Sequence, residues 1–193
     1  MKSPIFSKIF TLLMAINILA ISGSTRFQST NHTLIDIIAA MYAGQAEVMH
    51  FDGLSQLPHF NPDDDNDTPP PTVTAFRELL RTADGILICT PEYAMGVPGS
   101  LKNALDWVVS SMEMSKKPVA LITASSMGEL AHQSLTGTLR VIEADLPDAS
   151  RLLVPFVKAK VRDGAIVDAP TLESVKSVME SLLRGIVSSR SKP

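Results

Sequence analysis

The apolar run Ile16-Asn17-Ile18-Leu19-Ala20-Ile21 opens directly into the polar stretch Ser22-Gly23-Ser24-Thr25-Arg26-Phe27-Gln28-Ser29-Thr30-Asn31. Beyond it, Leu34, Ile35, Ile38, Met41 and Tyr42 recur at helical spacing. A buried strand, a polar turn and an amphipathic helix in that order constrain the fold more than any other part of the chain. Such a junction aims unpaired backbone N–H groups and the positive end of the helix dipole at one point. The turn adds the hydroxyls of Ser24, Thr25, Ser29 and Thr30, the Arg26 guanidinium and the Asn31 amide. Together these donors suit a phosphate monoester, because charge-assisted hydrogen bonds are the strong ones. Taken by itself the same stretch also reads as an ordinary polar turn capped by Ser29 or Thr30.

The fine pattern narrows the ligand. Gly-x-Gly-x-x-Gly is absent, so the close backbone approach that a pyrophosphate needs is not provided. Gly-x-x-x-x-Gly-Lys-Ser/Thr is absent too, which argues against a nucleoside triphosphate loop. A hydroxyl-rich loop for a terminal monophosphate remains, as on a mononucleotide such as FMN.

Strand and helix patterns alternate along the rest of the chain, which implies a parallel sheet with right-handed crossovers. Expected strands are 16–21, 46–51, 85–89, 118–122 and 152–154, with helices over 72–82, 98–110, 127–144 and a last one whose inner stripe runs from Leu172 to Ile186. The second strand alternates polar and apolar residues more than the others, as at a sheet edge. This points to an α/β flavodoxin-like three-layer sandwich with a five-stranded parallel sheet in the order 2-1-3-4-5. In that order a ligand crevice lies beyond the carboxyl ends of strands one and three. The 193 residues suffice for one such domain, expected over 14–190.

Residues 1–13 read as an N-terminal extension or a misassigned start. Lys2 and Lys8 before Ile9–Ile21 resemble a weak secretory signal, yet cleavage near Ala20 would delete the strand that positions the phosphate loop. The apolar stretch is also interrupted by Asn17 and too short to span a membrane. A cytoplasmic protein with no membrane partner is therefore expected. A net charge of −3, with Lys and Arg scattered, gives no footprint for nucleic acid. The single cysteine, Cys89, excludes an intrachain disulfide and reads as a buried small hydrophobe rather than a reactive thiol.

The segment from Leu57 to Pro71 is dense in proline and acid and reads as a long solvated loop. Asp63, Asp65 and Asp67 mimic the first ligands of a calcium loop, but Thr68 and Thr74 stand where its glycine and glutamate belong. His32, His50, His59 and His132 show no metal-ligand spacing along the chain, and no metal site is expected.

A second constellation, Thr90-Pro91-Glu92-Tyr93-Ala94-Met95-Gly96-Val97-Pro98-Gly99, follows the third strand. Prolines and glycines fix an irregular backbone, which offers rigid peptide edges to a flat heterocycle while Tyr93 supplies a wall. A rigid turn before a helix is the plainer reading of these residues alone. A third loop, Thr123-Ala124-Ser125-Ser126-Met127-Gly128-Glu129, follows strand four on the same rim, and three such loops favour a shared ligand site.

Gly23–Asn31, Pro91-Glu92-Tyr93 and Pro98-Gly99-Ser100-Leu101-Lys102-Asn103-Ala104-Leu105-Asp106-Trp107 resemble the NADPH-dependent FMN reductase family, which includes quinone, chromate and azo-dye reductases. Leu57-Pro58-His59-Phe60-Asn61 resembles that family's loop after strand two. The resemblance runs from about Met14 to the last helix and implies bound FMN, NADPH or NADH as co-substrate, and a homodimer or homotetramer. Carried over by position, Ser24, Arg26, Ser29, Thr30 and Asn31 would hold the FMN phosphate. Pro91, Glu92, Tyr93 and Ala94 would line the isoalloxazine, and Ser125, Ser126 and Gly128 would approach its other edge. The family usually has Asn where this chain has Ala94, and often a Gly-Gly pair where Gly128-Glu129 stands.

The resemblance implies an NAD(P)H oxidoreductase that passes electrons through FMN to a small acceptor: a quinone, free flavin, azo compound or metal oxyanion. No side-chain acid or base is required, so no catalytic residue is expected. A non-enzymatic electron carrier on the same fold is the alternative, although −3 is a weak charge for docking redox partners. A phosphoacceptor receiver would need clustered aspartates where Ser22-Gly23-Ser24 stands, and a hydrolase would need a Gly-x-Ser-x-Gly elbow.

Overall fold

The computed structural model describes residues 16–26 and 28–191. The proposed extension 1–13, the domain start at Met14 and Phe27 lie outside the described residues. Five parallel strands form one sheet in the order β2-β1-β3-β4-β5: β1 Ile16–Ser22, β2 Ala46–His50, β3 Gly85–Thr90, β4 Val119–Ala124 and β5 Arg151–Val154. The crossover helices are α1 Thr30–Met41, α2 Pro71–Thr82, α3 Gly99–Asp106 and α4 Glu129–Val141. After β5 come a single-turn helix α5 Val157–Lys160, a small hairpin β6 Val161–Arg162 with β7 Ala165–Ile166, and the long α6 Ala169–Arg190.

Strand alternation divides the interior into two cores. Leu19, Ile21, Ile86, Ile88 and Leu121 point toward α2, α3 and α4, where Phe76, Trp107, Leu135 and Leu139 fill the layer. Ile18, Ala20, Leu87, Cys89 and Ile122 point toward α1 and α6, against Leu34, Ile38, Met179 and Leu182. β3 and β4 are buried along their whole length, whereas β2 alternates as an edge strand should. Burial drives the Cys89 thiol strongly upward from its ordinary pKa, so it stays a neutral hydrophobe.

Several expected boundaries shift for identifiable reasons. α3 stops at Asp106 rather than Ser110, because Arg77 Nε donates to the Trp107 carbonyl at 3.0 Å and ends the helix there. α4 starts at Glu129 rather than Met127, since Gly128 takes a left-handed φ of 103° before it. The hairpin 161–166 has no counterpart in the sequence expectation, although its Asp163-Gly164 turn, with φ of 49° and 74°, is a standard hairpin signal.

The 57–71 segment is only partly solvated, which corrects the sequence expectation. Leu57 is buried, Phe60 packs edge-on against Trp107 at 5.0 Å, and Trp107 Nε1 donates to the Pro58 carbonyl at 2.8 Å. Asn103 clamps the same stretch, donating to the Pro58 carbonyl and accepting from Phe60 N–H. Asp65 accepts from Arg77 at 2.7 Å and from Ser110 at 2.6 Å. Burial pushes the Asp65 carboxyl up, but those hydrogen bonds and the Arg77 charge outweigh it and hold the group below its ordinary pKa. Asp63, Asp64 and Asp67 remain exposed.

Candidate functional site

At the carboxyl ends of the strands lies a cavity of about 570 Å³, within the range of about 300–1,000 Å³ that small-molecule sites occupy. Its first wall is the turn leaving β1. Gly23 N–H donates to the Cys89 carbonyl at 2.8 Å, drawing this turn against β3. A Cβ at Gly23 would lie 2.1 Å from Thr90 Oγ1, so only glycine permits the approach. Ser22 Oγ accepts from Ser24 N–H and donates to the Ser24 carbonyl, both at 3.2 Å, which tightens the turn around Ser24. Ser29, with φ −91° and ψ 134°, caps α1 by accepting from Asn31 N–H. The ordinary capping role is thus real for Ser29, and it leaves the hydroxyl proton free to donate. The Thr30 N–H sits in the first helical turn, where no intrahelical carbonyl can reach it.

Ser24, Arg26, Ser29, Thr30 and Asn31 all line the cavity, and Gln28 joins them. Asn31 is 3 % exposed; its Nδ2 donates to the Ala124 carbonyl at 3.1 Å, and its Oδ1 has no partner among the described residues. A buried acceptor of this kind is satisfied by a proton donor.

The turn leaving β3 forms the second wall. Pro91, Glu92 and Tyr93 line the cavity, and Tyr93 OH lies 3.2 Å from Ser24 Oγ, joining the two walls. Glu92 also acts as a brace: its carboxylate accepts from Ala131 N–H in the first turn of α4 at 2.9 Å, and its own N–H donates to Ser125 Oγ. Tyr93 and Gly96 exchange two 3.0 Å backbone bonds across a tight turn whose central residues, Ala94 and Met95, have φ of 47° and 63°. Ala94 sits at the tip of this turn and does not line the cavity. The Asn found there in the family pattern suits the left-handed backbone, which Ala does not.

Ser125 and Ser126 line the third wall with Ala124, but Gly128 does not. Gly128 instead serves the backbone, since a Cβ on its left-handed φ would meet Leu153 Cδ1 at 2.9 Å and Thr123 Cγ2 at 3.1 Å. Nearby, burial foremost and the Arg151 charge second hold His132 below its ordinary pKa, with Thr123 Oγ1 2.8 Å from its Nδ1. It adds no positive charge to this rim at neutral pH.

A fourth wall was not expected from the sequence. Phe156, Val157, Lys158 and Ala159, following β5, complete the cavity. Phe156 N–H donates to the Ser126 carbonyl and Val157 N–H to the Ser125 carbonyl, so this turn is laced to the third loop. Phe156 has φ 55° and is two-thirds exposed, which holds its ring out at the mouth. The signal that would have found it is positional: β5 borders β4, so the turn after it shares the same rim. The result is a cleft with hydroxyls, amides and the cations of Arg26 and Lys158, faced by the rings of Tyr93 and Phe156.

Residues 16–156 match the family described as NADPH-dependent FMN reductase. The NADH:(hydroxy)cinnamate reductase subunit CrdA of Vibrio ruber is 32% identical over 176 residues, covering 86% of this chain and 85% of that protein. A quinone reductase of Escherichia coli K12 is 30% identical over 167 residues, covering 82% and 88% respectively. Among solved structures, the flavoenzyme NAD(P)H:(acceptor) oxidoreductase FerB from Paracoccus denitrificans superposes with a TM-score of 0.72 at 24% identity. It covers 90% of this chain and 98% of that one, a likeness of fold.

Proposed function

Because the chain belongs to the NADPH-dependent FMN reductase family, we propose that the rim cavity holds FMN and that the enzyme passes electrons from NAD(P)H to a small quinone. The chain is an oxidoreductase of the flavodoxin-like class, and FMN with NAD(P)H as donor is the family's chemistry.

The observation that carries the reading is the convergence of the turns after β1, β3, β4 and β5 on one cavity whose β1 wall is rich in donors, with the buried Asn31 Oδ1 left unpartnered. A phosphate takes donors only, and Ser24, Arg26, Ser29 and Thr30 supply them at the end of β1. A ribityl chain brings hydroxyl protons, which would suit the Asn31 Oδ1 as an acceptor. In this reading Asn31 serves the ribityl chain rather than the phosphate. Pro91, Glu92, Tyr93, Ser125 and Ser126 line the remaining length, where a flat ring system fits between peptide edges. Ala94 and Gly128 act through the backbone, by shaping the turns that bring these residues in.

FMN held there would supply the two-electron chemistry that links NAD(P)H to the acceptor. The protein's part is placement. The capped α1 would hold the phosphate, Pro91, Glu92 and Tyr93 would border the ring system, and Tyr93 and Phe156 would offer apolar faces to a flat substrate. No side chain is needed as an acid or base. Lys158, at the mouth, suits an anionic group on the nucleotide donor.

The quinone is favoured over free flavin, an azo compound or a metal oxyanion because the mouth is flanked by exposed rings. The relative in Escherichia coli also bears the name quinone reductase. Exposed Met95, Met127, Leu130 and Phe156 on the same rim support a homo-oligomer in which a second copy shelters the mouth. Among the described residues no helix is long and apolar enough to cross a membrane, and use of NAD(P)H supports a cytoplasmic setting. The test is steady-state oxidation of NADPH by FMN-loaded protein with and without a soluble benzoquinone. Quinone-dependent turnover is expected, and failure to oxidise NADPH or NADH with any of these acceptors would contradict the reading.

A further inference from the structure

We infer that His32, His50 and Asp52 form a site for one divalent cation of the zinc class, beside the β1 turn and separate from the cavity lining. His32 lies in the first turn of α1, His50 ends β2 and Asp52 follows two residues later. They are far apart in sequence, so no ligand spacing marks them, yet one ligand atom from each lies within 4.8 Å of the other two. The two imidazole rings are 6.0 Å apart, centre to centre. Tetrahedral zinc at about 2.1 Å from its ligands separates them by roughly 3.4 Å, so a small rotation of side chains closes the set.

Hydrogen bonds already orient both rings. His32 Nε2 lies 2.9 Å from the Ser24 carbonyl, which can only accept, so the proton is on that nitrogen and Nδ1 presents its lone pair. His50 Nε2 lies 3.0 Å from Asp36 Oδ1, which fixes the same tautomer. A carbonyl behind one ligand histidine and a carboxylate behind the other is the outer-shell arrangement that metal-binding histidines use. Asp52 is exposed and its carboxylate makes no hydrogen bond or ion pair among the described residues, so it is available as the anionic ligand. Two imidazoles and one carboxylate favour zinc or nickel over calcium or magnesium, which want oxygen ligands. Three protein ligands leave a position for water.

The test uses the full chain without an affinity tag, stripped with chelator and titrated calorimetrically with zinc chloride near neutral pH. One equivalent should bind, with magnesium chloride giving no comparable heat. His50→Gln and Asp52→Asn should each weaken binding at least about tenfold, and Asp36→Asn by about 10–100-fold. His59→Gln, an exposed histidine elsewhere, should leave it unchanged. Asp52 is on the surface, so loss of binding in Asp52→Asn with an unaltered melting temperature of the metal-free protein separates ligand loss from unfolding. Absence of a one-equivalent event, or wild-type affinity in both His50→Gln and Asp52→Asn, would overturn the site. Neither outcome depends on whether the cavity holds FMN.

Discussion

The two ends of the sheet are fastened in opposite ways. At the amino end, side chains do the fastening: Arg190 Nε and Nη2 grip both oxygens of Asp84 at 2.9 and 2.6 Å, and Asp84 also accepts from Asn17 N–H. Lys117 Nζ donates to the Ala83 carbonyl at 2.6 Å, its pKa drawn down by burial. At the carboxyl end the main chain does most of it. Gly23 bonds Cys89, Ser125 bonds Val154, and Phe156 and Val157 bond Ser126 and Ser125, all through backbone atoms. Fastening by main chain leaves Arg26, Lys158 and the Asn31 oxygen over for a ligand. The amino end commits its charged side chains to the fold, whereas the carboxyl end leaves two of its cations over.

That contrast can be broken from either side. The largest effect is expected from Gly23→Ala, where the new Cβ would collide with Thr90 Oγ1 and Cβ. Thr90 is fully buried and cannot retreat, so a loss of about 3 kcal/mol is expected, read as a lowered denaturant midpoint together with lost flavin binding. Asp84→Ala should cost about 2 kcal/mol, between the values for exposed and buried pairs, since both partners are one-fifth exposed. Its flavin affinity should not change, because the residue is at the other end of the sheet. Arg26→Ala should do the reverse. FMN affinity should fall about 10–100-fold, as for a lost charge-assisted hydrogen bond, with riboflavin affinity and melting temperature unchanged. The smallest effect is expected from Ala94→Asn, which relieves a left-handed φ of 47°. A gain of about 0.5 kcal/mol would raise the melting temperature by roughly 1–2 °C.

Much of this contrast is legible in the sequence, but unevenly. The alternation of apolar runs with amphipathic segments marks the order β2-β1-β3-β4-β5, and the hydroxyls after β1 mark the first wall. Those signals are local, because a strand, its turn and its helix are contiguous. The fourth wall at Phe156–Ala159 is not legible in the same way. β5 is four residues long, and its turn becomes part of the site only through backbone bonds to a loop some thirty residues earlier. Ala94 and Met95 carry no mark of their left-handed backbone, which glycine or asparagine would have announced. The Leu57–Phe60 stretch reads as solvated because its partners, Asn103 and Trp107, lie on α3. His32, His50 and Asp52 meet only once β2 is paired beside β1.

Whether the rim cavity binds a flavin mononucleotide is decided by optical titration of the cofactor-free protein with FMN. Saturation at one flavin per chain is expected, with a perturbed visible spectrum that bleaches when NADPH is added without oxygen. A spectrum that remains that of free FMN at every protein concentration would contradict it.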